Sequence, residues 1–237
     1  MNAEGLARKF VTNLKKHAKE ETKSWWESYL KGEASFRGVK MADVRASMNS
    51  LWNEQDLHGQ SPSELLLFSQ TLMSKRYTED KLGGVLLLSE KLLQQLTIAE
   101  VPMLAEPLEN GSLADWNVVD WYGVKVVGPF ITAGQDARER AKAISLWKDG
   151  CTIWKRRCSA IAFTRLAAKP DEHFKGFHEL LMEICRTNVA DPVRWSQTSV
   201  GWLLRELSRN HPDLVRRFLS EHPELSKEAR RNALKYL

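Results

Sequence analysis

The chain has 237 residues, 43% of them hydrophobic, with three cysteines and a formal net charge of +5. This composition allows a sizeable core and predicts reduced thiols without a disulfide framework. No apolar run is long enough to cross a membrane, and Met1 to Ser24 lacks the apolar segment of a signal peptide. The six histidines and three cysteines lack metal-ligand spacing, so neither a metal site nor another cofactor is expected.

The residue mix favours helices, because Leu, Ala, Lys, Arg and Glu are abundant and alternating β-branched residues are few. Apolar spacing predicts a first helix around Leu6 to Leu14, a second at about 24–31 and a turn at 36–39. Ser61 and Pro62 open a helix that runs to about Lys75. Further helices are predicted at about 79–95, 98–107, 113–131, 136–147, 153–168, 171–186, 191–209, 211–221 and 226–237.

These helices recur in pairs, and the second helix of each pair begins near residues 79, 113, 153, 191 and 226. A spacing of about 34 to 40 residues is typical of HEAT-like and related helical repeats. The sequence therefore predicts an all-α fold, a right-handed α-α superhelix (solenoid) with a concave face. It would be a single domain over 1–237, with N-terminal helices in 1–58 and repeated pairs in 61–237. The second helices of such a solenoid line one surface, where Trp116, Trp154, Arg157, Trp195 and Trp202 could converge.

Charge is unevenly distributed along the chain. Residues 134–169 carry nine Lys or Arg against three acids, including Lys155, Arg156 and Arg157, whereas residues 96–124 carry five acids and no base. A basic surface beside an acidic one suits a phosphate-binding face next to a catalytic edge. An ordinary charged helix surface is the alternative.

Trp116 and Asp120 lie four residues apart, so an indole and a carboxylate share one helix face. Asp is a poor helix former and Trp is bulky, so a plain amphipathic helix would not favour this pair. An acid, an arginine and aromatic faces would suit a site that binds a cationic planar group beside an anionic backbone. A solvated or salt-bridged Asp and core-packed Trp residues are the alternatives.

Several motifs, in the same order and spacing, resemble the AlkD-like DNA alkylation repair glycosylases, which are built from HEAT-like repeats. The resemblance covers the chain from about residue 24 to its end. Asp115 departs from the pattern, because the family often has an aromatic residue there. The matching segments are Tyr29-Leu30-Lys31 with Phe36-Arg37-Gly38-Val39, Trp116 with Asp120, Ile153-Trp154-Lys155-Arg156-Arg157, Val200-Gly201-Trp202-Leu203-Leu204-Arg205-Glu206 and Leu225-Ser226-Lys227-Glu228-Ala229-Arg230.

The resemblance implies a monofunctional glycosylase that hydrolyses the N-glycosidic bond of cationic N3- or N7-alkylated purines in double-stranded DNA. It implies a catalytic role for Asp120, with Trp116 and Trp202 against the damaged nucleotide, which could remain stacked. Arg157 would clamp a phosphate. The other expected DNA contacts are Trp154, Lys155, Arg156, Arg194 and Tyr29.

The expected partner is double-stranded DNA with alkylated bases, bound by a monomer in the cytoplasm in association with the nucleoid, without membrane contact. Two other functions stay open: a non-catalytic helical-repeat protein that binds distorted or branched DNA, and a HEAT-type protein-interaction scaffold. Steep salt dependence of DNA binding would exclude the scaffold, and release of an alkylated base would separate the enzyme from the DNA binder.

Overall fold

The computed structural model describes residues 1–237, which form helices and no β-strand. One isolated bridge joins Ser35 and Tyr77. Two π-helical turns, Leu88–Leu92 and Gly123–Val127, continue α5 and α7. The predicted all-α fold is confirmed. The α-helices are α1 (Ala3–Lys15), α2 (Glu20–Tyr29), α3 (Met41–Glu54), α4 (Pro62–Met73), α5 (Thr78–Leu87), α6 (Val101–Glu109), α7 (Trp116–Tyr122), α8 (Gly128–Thr132), α9 (Ala137–Ser145), α10 (Ile153–Ile161), α11 (Phe177–Val189), α12 (Arg194–Leu207), α13 (Pro212–Glu221) and α14 (Lys227–Ala233).

The predicted starts of the five second helices agree with the structure to within three residues. Side-chain caps account for several of these starts. The Thr152 hydroxyl accepts the backbone N–H of Lys155 at the start of α10, and Ser226 does the same for Ala229 in α14. The observed first residues are Thr78, Trp116, Ile153, Arg194 and Lys227.

The long predicted helices are shorter or interrupted in the structure. The segment 113–131 contains α7, a π-helical turn and α8, and 153–168 keeps its α-helix only to Ile161. The helix predicted at 171–186 was wrong at its start, because α11 begins at Phe177. Gly176 directly precedes α11 with a φ of 93°, a left-handed conformation that glycine adopts readily, and the helix begins only after it.

The chain divides into two compact units, Met1–Leu96 with Asn110–Val118, and Thr97–Glu109 with Val119–Leu237. In the first unit α1, α3, α4 and α5 pack together around buried Phe10 and Phe68. In the second unit α12 packs against α10, α11 and α14, and Tyr122 donates a buried hydrogen bond to the Leu104 carbonyl. The single domain and the superhelix stay predictions.

The turn after α2 is held by two acids in the first turn of α5. Buried Glu79 accepts the backbone N–H groups of Arg37, Gly38 and Val39 at 2.8, 2.8 and 3.0 Å. Arg37 also donates two hydrogen bonds of 2.7 Å to the Asp80 carboxylate. One carboxylate thus satisfies three backbone donors that would otherwise be costly to bury. The Phe36-Arg37-Gly38-Val39 motif therefore has a structural role.

Replacement of Gly38 by Ala should destabilise the protein more than replacement of Gly32. Both glycines have positive φ, 85° and 78°, which costs about 1–2 kcal/mol for an L-residue. A Cβ at Gly38 would also lie 2.1 Å from the Lys19 carbonyl oxygen, whereas nothing lies within 4 Å of one at Gly32. We expect urea unfolding to give a loss above about 3 kcal/mol for Gly38→Ala. Equal losses for the two variants would contradict the close approach.

Candidate active site

A buried ion pair between α7 and α10 is the central feature of the second unit. Arg157 Nε donates to Asp120 Oδ1 and Nη2 donates to Oδ2, both at 2.8 Å. The side chains are only 5% and 15% exposed respectively. Such a two-bond contact fixes the plane of the carboxylate as well as its position. Arg157, expected from the sequence to clamp a phosphate, lies against Asp120, and its phosphate contact stays a prediction.

The guanidinium of Arg157 is held from α12 as well. Its Nη1 donates to the Trp195 carbonyl oxygen at 2.8 Å and to the Thr198 hydroxyl at 3.0 Å. The guanidinium carbon also lies 5.8 Å from the centre of the Trp195 ring, within cation–π range. Four of the five N–H groups of Arg157 are therefore used inside the protein. Thr198 was not predicted as part of the site, because a helical Thr has no distinguishing sequence signal.

Two glycines allow the chain that follows Asp120 to approach the end of α10. A Cβ at Gly123 would lie 2.8 Å from Ile161 Cγ2, and one at Gly128 would lie 2.6 Å from the Ala162 carbonyl oxygen. Gly123 opens the π-helical turn, and such turns often occur at functional sites. The short helix separation at these positions brings the carboxylate within reach of Arg157.

Burial raises the pKa of Asp120, and the charge and hydrogen bonds of Arg157 oppose that shift. The adjacent thiol of Cys158 is fully buried, and burial, with the Asp120 charge, raises its pKa. A neutral buried thiol is a poor nucleophile. Of Asp120 and Cys158, Asp120 is therefore the residue that can carry negative charge.

Asp115, which replaces the family's common aromatic residue, has a local structural role. Its carboxylate accepts the backbone N–H of Val118 at 2.9 Å, as a helix N-cap does. It also faces Lys81. Burial lowers the pKa of Lys81, and the charges of Asp115 and Asp80 oppose that shift without reversing it. Asp115 is thus a capping residue within the first unit.

The predicted aromatic residues of the second unit lie in two places. Trp154 and Trp195 are neighbours, with ring centres 6.3 Å apart. Trp202 lies further along α12, where its ring is 5.5 Å from the Arg205 guanidinium. All three indoles are partly exposed, so they are available to a ligand as well as to the core.

An aromatic cluster in the first unit contains the predicted Tyr29 and Trp116, whose ring centres are 6.2 Å apart. Tyr29 stacks on Trp25 at 5.3 Å with an angle of 5° between the rings. Tyr29 and Trp25 are 56% and 58% exposed, whereas Trp26 stacks on buried Phe36. Trp25 was not predicted, although its i, i+4 spacing from Tyr29 could have indicated it.

The other predicted DNA-binding cations are each paired with a carboxylate. Arg156 bonds Asp191 at 2.9 Å, and Arg194 bonds Glu228 at 2.8 Å. Lys155 bonds Glu109. The basic stretch is thus partly neutralised within the protein.

No group of three or more His, Cys, Asp or Glu side chains could hold a metal ion.

A family model described as DNA alkylation repair enzyme matches residues 10–237, and the chain belongs to this family. The AlkD-like resemblance is thereby confirmed. A solved structure described as a predicted DNA alkylation repair enzyme from Enterococcus faecalis has a similar fold. That similarity covers 93% of this chain and 97% of that chain, with a TM-score of 0.77 and 21% identity. The comparison with curated proteins gives no match.

None of the helices is long and apolar enough to span a membrane.

Replacement of Arg157 by Ala should leave the Asp120 carboxylate buried without its partner. Removal of one member of a buried pair costs about 3–5 kcal/mol. As a control, Arg194→Ala breaks an ion pair whose side chains are 59% and 45% exposed, which costs about 1 kcal/mol or less. Urea unfolding of both variants tests this difference. An Arg157→Ala protein as stable as Arg194→Ala would show that the Asp120–Arg157 pair does not stabilise the fold.

Proposed function

We propose that this protein is a monofunctional DNA glycosylase that releases cationic N3- or N7-alkylated purines from double-stranded DNA. Its membership of a DNA alkylation repair family supports a damaged-DNA substrate. The observation that carries the proposal is the Asp120 carboxylate, largely buried and fixed in orientation by two bonds to Arg157. A preorganised negative charge of this kind can stabilise a developing positive charge.

The chemistry requires no strong general acid, because an alkylated cationic purine is already a good leaving group. When the bond between C1′ and the purine nitrogen breaks, its electron pair neutralises the base and leaves positive charge on the sugar. Asp120 would stabilise that oxocarbenium-like charge and orient a water molecule. The water oxygen then bonds to C1′, and the released proton goes to Asp120 or to solvent.

Arg157 is assigned to this site as a positioning residue. Both carboxylate oxygens of Asp120 accept from Arg157, but each oxygen has a second lone pair. The side chain is also 15% exposed. One side of the carboxylate can therefore act on the substrate while the other is held. No lysine has a corresponding role here, so we expect hydrolysis without strand cleavage.

Trp116, Trp202 and Trp154 are proposed to contact the damaged nucleotide. An indole face attracts a cation by about 0.5–2 kcal/mol, which favours a charged lesion over a neutral base without hydrogen bonds to base edges. Such recognition is compatible with a base that stays stacked. Tyr29, with its exposed ring, is proposed as a further DNA contact.

Lys155, Arg156 and Arg194 are proposed phosphate contacts. Each is paired with a carboxylate, so each would exchange that partner for a phosphate on binding DNA.

We further propose that the enzyme acts as a monomer in the cytoplasm, in association with the nucleoid, and that its helical repeats present a basic concave face to DNA.

One observation favours a second function, non-catalytic binding of distorted or branched DNA. A buried ion pair can be purely structural, and both oxygens of Asp120 are occupied by Arg157. A protein of this kind would bind damaged DNA but release no base. The rate of base release therefore decides between the two functions.

Asp120→Asn should lower base release by about 100- to 1000-fold, the loss typical of a group that stabilises transition-state charge. Asn is nearly isosteric, so the fold and DNA binding should persist. Single-turnover release of N7-methylguanine from methylated duplex DNA measures the effect. Asp191→Asn serves as the control, because it removes the charge from another arginine-paired aspartate. Equal losses in both variants would attribute the effect to stability and not to catalysis.

Base release should also decline as the pH falls through the pKa of Asp120, because only the carboxylate stabilises the sugar cation. Burial raises that pKa above the ordinary value of 3.8, so the acid limb should lie above this pH. The rate, corrected for spontaneous depurination, should lose this limb in Asp120→Asn. An unchanged acid limb in the variant would assign it to another group.

A further inference from the structure

A pocket beside α14 in the second unit is not assigned to any role by the sequence. Its volume is about 360 Å³ and it is open to solvent. Cationic and polar side chains form most of its lining. The lining residues are Thr198, Glu228, Ala229, Arg231, Asn232 and Lys235.

Arg231 and Lys235 differ from the cations that the sequence pattern indicated. Both are exposed, and neither makes a side-chain hydrogen bond or an ion pair within 4 Å. Lys155, Arg156 and Arg194 must each release a carboxylate before they bind an anion. Arg231 and Lys235 can bind one without breaking an existing contact. These two residues are therefore the readier phosphate ligands.

The remaining polar groups of the pocket also suit an anion. Asn232 Oδ1 accepts from Arg205 Nη1 at 3.2 Å, which leaves the amide nitrogen as a donor. Glu228 is the only acid of the lining, and Arg194 holds it with bonds of 2.8 and 2.9 Å. Hydrogen bonding to Arg194 lowers the pKa of Glu228, and the charges of Arg231 and Arg157 add to the shift. The pocket thus has a net positive charge.

The pocket adjoins the Asp120–Arg157 pair through one side chain. The Thr198 hydroxyl accepts from Arg157 Nη1 at 3.0 Å, and the same residue lines the pocket. Thr198 therefore links the lining of the pocket to the ion pair.

We propose that this pocket binds a phosphodiester group of the DNA strand, with Arg231 and Lys235 as its charged ligands. The proposal rests on DNA being the substrate, as in the proposed function, and adds a contact that holds the strand beside Asp120. Arg231 offers a planar fork that matches phosphate oxygens, and Lys235 adds a point charge. Such contacts fix the register of the strand and carry no sequence information.

The test is the salt dependence of binding to an undamaged DNA duplex, measured by fluorescence anisotropy with the full chain. Each phosphate contact contributes a slope of about −0.9 to log K against log salt. Because the pocket takes one phosphodiester, the double variant Arg231→Ala/Lys235→Ala should reduce the magnitude of the slope by about 0.9. The charge-preserving double variant Arg231→Lys/Lys235→Arg should keep most of the wild-type slope.

A matched control removes the same charge elsewhere. Lys175 and Arg217 are exposed and make no ion pair within 4 Å. Lys175→Ala/Arg217→Ala should leave the slope near the wild-type value. Thermal unfolding should be unchanged in all three double variants, because the replaced side chains are exposed. A wild-type slope in Arg231→Ala/Lys235→Ala, or an equal loss in the control, would overturn the proposal.

The result is separable from the fate of the glycosylase proposal, because binding to undamaged DNA requires no base release. A reduced slope in a protein that releases no alkylated base would support the pocket and refute the glycosylase. Normal base release with an unchanged slope in Arg231→Ala/Lys235→Ala would refute the pocket alone.

Discussion

The Asp120–Arg157 ion pair is the interaction on which the account of this protein depends. It connects α7 to α10, and the remaining donors of Arg157 reach α12 through Trp195 and Thr198. Withdrawing two charges from water costs several kcal/mol per ion, and the hydrogen bonds of the pair offset part of that cost. Because Arg157 bonds both oxygens of Asp120, the carboxylate has one orientation, which is what stabilisation of a transition-state charge requires.

Close helix approaches support this geometry on both sides of the pair. Gly123 and Gly128 bring the chain after α7 against the end of α10, and a Cβ at Gly201 would lie 2.5 Å from the Ala229 carbonyl oxygen. That second contact sets the distance between α12 and α14. Packing against α14 therefore explains Gly201 of the Gly201-Trp202 pair, while Trp202 remains available to a ligand.

Much of the fold was predictable because its signals are local. Periodic apolar residues, Ser caps and proline positions predicted most of the helices and many of their starts. The start of α11 was missed because Gly176 adopts a left-handed conformation, and the breaks after α7 arise from tertiary packing. The sequence indicated residue types for the candidate site, but it did not indicate which side chains contact one another. Arg157 was expected to bind phosphate, and no local pattern could show that its guanidinium lies against an acid 37 residues away.

A double-mutant cycle on the single-turnover rate tests most directly whether Arg157 acts in base release through Asp120. The four proteins are wild type, Asp120→Asn, Arg157→Ala and the double variant, compared at a temperature where all are folded. If Arg157 only positions Asp120, the double variant should release N7-methylguanine no more slowly than Asp120→Asn alone. Fully additive losses would contradict the account, because Arg157 would then contribute to catalysis independently of the carboxylate that it holds.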